Sequence, residues 1–340
     1  MKRIDCEAHF YTEDYLRALR ENKGYPRIVE ESQTGSFRLW YNADVGQPFG
    51  GVILEDLLDL GEKRLKNMDA SRIDVQVLSL SAPGIEQLDA ATGTALAKKV
   101  NDDLSKAIGK YPDRFMGFAI LAPKNPEEAA DELERAVKEL GFKGWQTHSN
   151  YGDTYLDDKT YWPILERAEK LGVPVYLHPT VSAARQLGAY GFLLAGAPFG
   201  FGVDAATCMM RLIYSGVFDR YPGLKIILGH LGEAFPFMLK RIDWGYVRPY
   251  DPENRPKLAK NPGEYFESNV FVTTSGNDYQ PAFMCTREAM GIEKMLLGTD
   301  YPYESAAESM TFLEGLPISK EDKDKIFYLN AKRLGMGLKD

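Results

Sequence analysis

Apolar positions along this chain switch repeatedly between two periods. Short β-type runs such as Asp74-Val75-Gln76-Val77-Leu78-Ser79-Leu80 and Leu224-Lys225-Ile226-Ile227-Leu228-Gly229-His230 predict strands. Similar runs lie around Ile4 to Ala8, Phe115 to Leu121, Phe142 to Thr147, Val173 to His178, Asn269 to Thr274 and Lys294 to Thr299. Helical patterns separate them. Asn125 is a candidate N-cap, Pro126 suits the first helical position, and Glu127 and Glu128 fill the first turn. Ala130, Leu133, Ala136, Val137 and Leu140 then form one stripe, which Gly141 ends. The stretch Tyr161 to Leu171 repeats that plan and stops at Gly172. Eight strands alternating with helices predict an α/β fold, a closed parallel (β/α)8 barrel forming one domain over residues 1–340. Two stretches exceed a minimal barrel, about 10–61 after the first strand and about 180–203 after the fifth. Both leave C-terminal strand ends, where barrels build substrate pockets.

Composition narrows the function classes. Hydrophobic residues make up 44% and charged residues 26% of the 340, as in ordinary globular proteins. No apolar run is long enough to predict a membrane span, and the N-terminus lacks the apolar core of a secretory signal. The net charge of −8, without a basic cluster, argues against nucleic acid as a partner. Cys6, Cys208 and Cys285 are widely spaced, which points to a reducing, cytoplasmic setting. Strand alternation would turn Cys6 and Glu7 to opposite faces, so Cys6 reads as a small buried hydrophobe.

The candidate chemistry lies in the histidines. The chain has four, His9, His148, His178 and His230, each at or just past the end of a predicted strand. Glu7 and His9 are two apart on a strand and point the same way. Asp300 ends the eighth strand, which borders the first in a closed barrel. Glu7, His9, His178 and Asp300 thus offer two imidazoles and two carboxylates, a set suited to one Zn²⁺ or Mn²⁺ ion. His230 and Glu233 sit three residues apart, one turn if a helix begins there, and could shuttle protons. Arg241 follows about two turns further on the same face, within reach of a substrate carboxylate.

Glu7-Ala8-His9, Leu177-His178-Pro179, Gly229-His230-Leu231-Gly232-Glu233 and Thr299-Asp300-Tyr301-Pro302 resemble the amidohydrolase-2 decarboxylases, TIM-barrel enzymes of the amidohydrolase superfamily. That family includes γ-resorcylate, 2,3-dihydroxybenzoate, 5-carboxyvanillate and aminocarboxymuconate-semialdehyde decarboxylases. The stretches LLDLGEKRLKNMDASRID, KYPDRFMGFAILAP, LGFKGWQ, GVFDRYPGLKIILGH and VTTSGN extend the resemblance over nearly the whole chain. It implies a metal held by Glu7, His9, His178 and Asp300, a histidine at His230 partnered by Glu233, a substrate-orienting arginine at Arg241, and a homodimer or homotetramer. The E-x-H form is similar to the phenolic-acid branch, whereas the semialdehyde type has H-x-H. Two departures stand out. Gln47-Pro48-Phe49-Gly50-Gly51 replaces the stretch where the carboxyvanillate type has an arginine, and His148 stands where the phenolic-acid types carry Asn.

The activity implied is non-oxidative decarboxylation of a hydroxylated aromatic acid, dihydroxybenzoate-like, with one divalent ion and no organic cofactor. The ring carbon is protonated, with Asp300 as the acid and His230 and Glu233 relaying protons; Arg241, His148 and Tyr303 are expected to contact the substrate. Two rivals remain. One is a metal-dependent hydrolase of a lactone or amide; the other is a binding protein on a barrel scaffold.

Overall fold

The computed structural model describes residues 2–31 and 35–337, so residues 32–34 of the first predicted insertion lie outside the description. The strands in chain order are β1 (Ile4–Phe10), β2 (Arg27–Glu30), β3 (Phe37–Trp40), β4 (Gly46–Phe49), β5 (Val75–Leu80), β6 (Phe115–Gly117), β7 (Ala119–Ile120), β8 (Trp145–His148), β9 (Val175–His178), β10 (Ile226–Leu228), β11 (Val270–Thr273) and β12 (Met295–Leu296). Parallel pairing runs β1-β5-β6 and β7-β8-β9-β10-β11-β12. β6 and β7 are halves of one predicted strand, broken at Phe118, whose amide donates to the Leu78 carbonyl at 3.0 Å. That strand pairs with β5 on one side and β8 on the other. The two ends of the chain then close the ring: the Cys6 amide donates to Leu297 O and the His9 amide to Tyr301 O, both at 2.8 Å, while the Asp300 amide donates to Glu7 O at 2.9 Å. The predicted eight-stranded parallel barrel is the observed one.

Its lower interior is a compact apolar cluster drawn from nearly every strand, including Ile4, Cys6, Val75, Val77, Phe118, Tyr176, Ile227, Phe271 and Leu296. A larger cluster, including Ala8, Phe10, Leu78, Leu133 and Leu177, packs the helices onto the outside. β1 therefore changes phase. Ile4 and Cys6 face inward, yet Ala8 and Phe10 face the helices, because the register with β5 slips between Asp5 and Ala8. A β-bulge adds one residue there and turns Glu7 and His9 into the mouth. The expectation that Cys6 and Glu7 point to opposite faces needs that correction: simple alternation fails at the bulge, although Cys6 is buried as expected.

The helix Pro126–Lys138 begins at Pro126 as predicted, but Asn125 makes no side-chain cap. The helix Trp162–Leu171 stops at Gly172, which takes the left-handed conformation at φ 68°. Within the first insertion the chain forms an antiparallel sheet, β2-β3-β4, that the hydrophobic pattern did not reveal. The second contains a 3₁₀ stretch, Arg185–Tyr190, and a single helical turn, Phe192–Ala195, before the helix Gly200–Tyr214 begins. Both insertions reach over the barrel mouth. Among the described residues no helix is long and apolar enough to cross a membrane.

Candidate metal and proton-transfer site

Glu7 and His9 leave the bulged end of β1, His178 ends β9, and Asp300 follows β12. One ligand atom from each of the four lies within 4.8 Å of the others. In Glu7, His9 and His178 the remaining polar side-chain atoms are already engaged. The Glu7 carboxylate accepts from the hydroxyls of Thr273 and Ser275 through Oε2. His9 Nδ1 lies 3.1 Å from Ser79 Oγ. His178 Nδ1 donates to the Pro179 carbonyl at 2.8 Å, which leaves Nε2 with its lone pair. Burial, together with the neighbouring imidazoles of His9, His148 and His230, holds His178 well below the usual histidine range and hence neutral.

By contrast, Glu7 Oε1, His9 Nε2 and Asp300 Oδ1 are buried without a hydrogen-bond partner. His9 Nε2 and Asp300 Oδ1 stand only 2.9 Å apart. Buried polar atoms are normally satisfied, and these unsatisfied acceptors converge on one point. A divalent cation is the group that satisfies all of them, and this nitrogen and oxygen set fits zinc or manganese. Each spent atom serves to aim the free one, as in established metal sites. Close approach matters as well: a Cβ on Gly298 would stand 2.8 Å from Thr273 Cβ and 3.0 Å from Glu7 Cβ, so only glycine lets Glu7 sit there.

His230 stands beside the cluster, with Nε2 3.4 Å from Glu7 Oε1 and Nδ1 2.6 Å from Glu233 Oε1. Burial lowers its pKa, but the charges of Glu233 and Glu7 outweigh that and raise it well above the usual range. The pair forms by an unexpected route. No α-helix begins at His230. Five consecutive residues have positive φ: His230 (51°), Leu231 (57°), Gly232 (82°), Glu233 (50°) and Ala234 (65°). Left-handed backbone costs about 1–2 kcal/mol for each residue with a Cβ, and such strain gathers at functional sites. The right-handed helix starts only at Phe235. On that helix Arg241 is exposed and does not line the cavity. Within one chain, the expected contact of Arg241 with the substrate pocket is not formed. Asp300, with φ 56°, is strained in the same way.

His148 is corrected too. It is wholly buried, and its Nδ1 and backbone amide each lie 3.1 Å from an oxygen of Glu86. It backs onto His178 at 5.5 Å between ring centroids and does not line the cavity. Tyr303 does line it; the Tyr303 hydroxyl bonds Ser81 at 2.7 Å, and its ring lies 5.9 Å from that of His9.

The cavity above the cluster has a volume of about 590 Å³. Tyr41 and Gln47 from the β2-β3-β4 region and Phe192, Phe199 and Phe201 from the second insertion wall it, with His178, His230, Glu233 and Asp300 among its polar groups. Among the described residues its lining contains no lysine or arginine. Sequence reasoning missed Thr273, Ser275 and Ser79 as supports of the ligands. The run Thr273-Thr274-Ser275 at a barrel strand's C-terminal end was the available signal.

A profile of the amidohydrolase family matches residues 4–334. A γ-resorcylate decarboxylase of a Polaromonas species is 38% identical over 292 residues, 82% of this chain and 88% of that one. The crystal structure of 5-carboxyvanillate decarboxylase from Sphingomonas paucimobilis aligns with a TM-score of 0.87 at 33% identity, covering 98% of both chains. A dihydroxybenzoic acid decarboxylase from a Polaromonas species, solved with bound manganese and the inhibitor 2-nitroresorcinol, aligns at 0.83 with 34% identity, over 98% of this chain and 96% of that one. The profile begins in the first strand of the barrel and runs past its last, and on that match the chain belongs to the amidohydrolase family.

Proposed function

We propose that this chain is a metal-dependent carboxy-lyase that removes CO2 non-oxidatively from a hydroxylated aromatic acid of the dihydroxybenzoate type. The observation that carries the reading is the convergence of unsatisfied Glu7 Oε1, His9 Nε2 and Asp300 Oδ1 beside the charged His230–Glu233 pair. Glu7, His9, His178 and Asp300 would hold the ion. A divalent ion bound there supplies a Lewis acid for the substrate carboxylate and an adjacent phenolic oxygen.

The chain's own groups handle the proton. Direct loss of CO2 would leave an aryl carbanion, whereas a ring protonated first can take back the electron pair of the breaking C–C bond. Asp300 borders the cavity and is assigned to deliver that proton to the carbon bearing the carboxylate. His230, kept protonated by Glu233 and Glu7, is assigned to return a proton to the acid after each turnover. His230 is also a cationic side chain that the cavity offers an incoming carboxylate, since no lysine or arginine lines it among the described residues. The aromatic walls suit a flat ring, and Tyr303 is assigned as a substrate contact.

The test is a panel of hydroxybenzoates, catechol carboxylates and hydroxyphthalates, followed by ultraviolet absorbance and CO2 release. Activity should vanish with chelator and return with manganese or zinc. Opening of a lactone or amide without CO2 would instead establish a hydrolase.

We assign a homodimer or homotetramer as the working form. Exposed apolar residues on both insertions and on the helix after His230, among them Val52, Tyr190, Leu193 and Phe237, supply surface that a second copy would cover. A purely monomeric mass at micromolar concentration would oppose this. A cytoplasmic setting is in keeping with the three cysteines, all free.

A further inference from the structure

Arg64 is wholly buried, which is costly for a charged group unless every donor is used. It lies on the helix Glu62–Ala70, outside the barrel wall and away from the cavity. Its guanidinium hydrogen bonds run to carbonyl oxygens rather than to a carboxylate. Nε donates to Asp59 O at 2.7 Å. One terminal nitrogen donates to His9 O at 2.7 Å and Asp56 O at 2.9 Å, and the other to Gln76 Oε1 at 3.2 Å. Its plane also sits 4.9 Å from the ring centre of Tyr301.

These contacts lead to the residues that carry the metal ligands. His9 is bonded through its own carbonyl. Tyr301 is the neighbour of Asp300. Gln76 passes the connection on, its Nε2 donating to Asp5 Oδ2 at 3.1 Å. Asp5 then collects what the bulge leaves unpaired: Oδ1 accepts from the Glu7 amide at 3.2 Å and from the Thr299 amide at 3.0 Å, and Oδ2 accepts from Thr299 Oγ1 at 2.7 Å. Asp5, Gln76 and Thr299 are all fully buried. The seam between β1 and the segment after β12 is also where the barrel closes through short backbone contacts. Three of the four ligands, Glu7, His9 and Asp300, lie on that seam.

We propose that Arg64, acting through Gln76 and Asp5, is a positioning residue for the metal site: it fixes the bulge of β1 against the strand-eight loop so that Glu7, His9 and Asp300 meet at one ion. The inference rests on the metal assignment made above. Arg64 neither lines the cavity nor belongs to the candidate ligand group. A residue of this kind acts on ligand geometry before it acts on chemistry, and loss of an outer partner typically weakens metal binding by about 10–100-fold.

The test compares the parent with Arg64→Met, Arg64→Lys and Gln76→Met. Gln76→Met leaves the arginine and its bonds to backbone carbonyls in place and removes the relay itself, both the Arg64 bond to Oε1 and the Nε2 bond to Asp5, so it reports even where Arg64→Met does not fold. Manganese affinity is measured by competition with a chelator, the ligand field by the electron paramagnetic resonance of bound Mn²⁺, and the fold by thermal melting of the metal-free proteins. The expected result is about 10–100-fold weaker Mn²⁺ binding and an altered spectrum in Gln76→Met, in a metal-free protein that melts at a lower temperature than the parent but still cooperatively. Arg64→Lys should fall between parent and Arg64→Met. Parent-like affinity and spectrum in both Gln76→Met and Arg64→Lys, beside a parent that binds one ion, would overturn the proposal and leave the metal site standing. A parent that binds no ion would overturn both.

Discussion

Replacing His230 with Asn separates proton transfer from metal binding. Asn is among the few residues with a Cβ that tolerate φ near 51°, so the left-handed turn is respected. The ligand cluster of Glu7, His9, His178 and Asp300 is untouched, and the ion should remain. What disappears is the imidazolium and its 2.6 Å bond to Glu233. Loss of a general acid–base group slows a reaction by about 10²–10⁴, or about 3–5 kcal/mol of barrier at about 1.4 kcal/mol per decade. The expected result is therefore a kcat at least about a hundredfold lower, with metal content unchanged by elemental analysis and substrate still bound. Glu233→Gln should cost less, because Glu233 orients and tunes His230 without carrying the proton itself. The pH profile carries a second signature. His230 is raised by Glu233 and Glu7 against burial, so its proton is held through neutrality and lost as pH rises through the raised value. Activity that needs the imidazolium falls on that alkaline side, and removing the Glu233 charge must move the limb to lower pH. Near-normal turnover of His230→Asn with full metal would falsify the assignment and leave Asp300 and water to manage the proton.

The other predictions address geometry. His178→Ala should lose metal and activity while remaining folded, as judged by elemental analysis and circular dichroism; full occupancy would remove His178 from the ligand set. Gly276→Ala places a Cβ 2.5 Å from His230 Cδ2 at a backbone φ of 68°. It should therefore displace the imidazole and lower kcat by about tenfold or more without loss of metal. An unchanged rate would show that His230 is not held where the structure places it.

The sequence by itself determined the strand and helix alternation, the order of the eight barrel strands and the placement of chemistry at their C-terminal ends. It could do so because periodicity and capping are local: Pro126 and Gly172 act within one turn, and His178 is placed by the strand that precedes it. Tertiary structure decided the rest. The facing of Glu7 follows from a bulge defined only against β5, so alternation along β1 mispredicts its phase relative to Cys6. The left-handed run from His230 to Ala234 is a choice of φ sign for residues that intrinsically disfavour it, and surrounding contacts must impose it. Arg241, on the helix that follows, is exposed. His148 ended beside Glu86, a partner 62 residues away. Arg64, 55 residues from His9, offered no local sign that its guanidinium would hold that residue's carbonyl. Spacing along the chain picked out the candidate ligands, while the closed barrel supplied the register, the backbone handedness and the buried supports that bring those residues together.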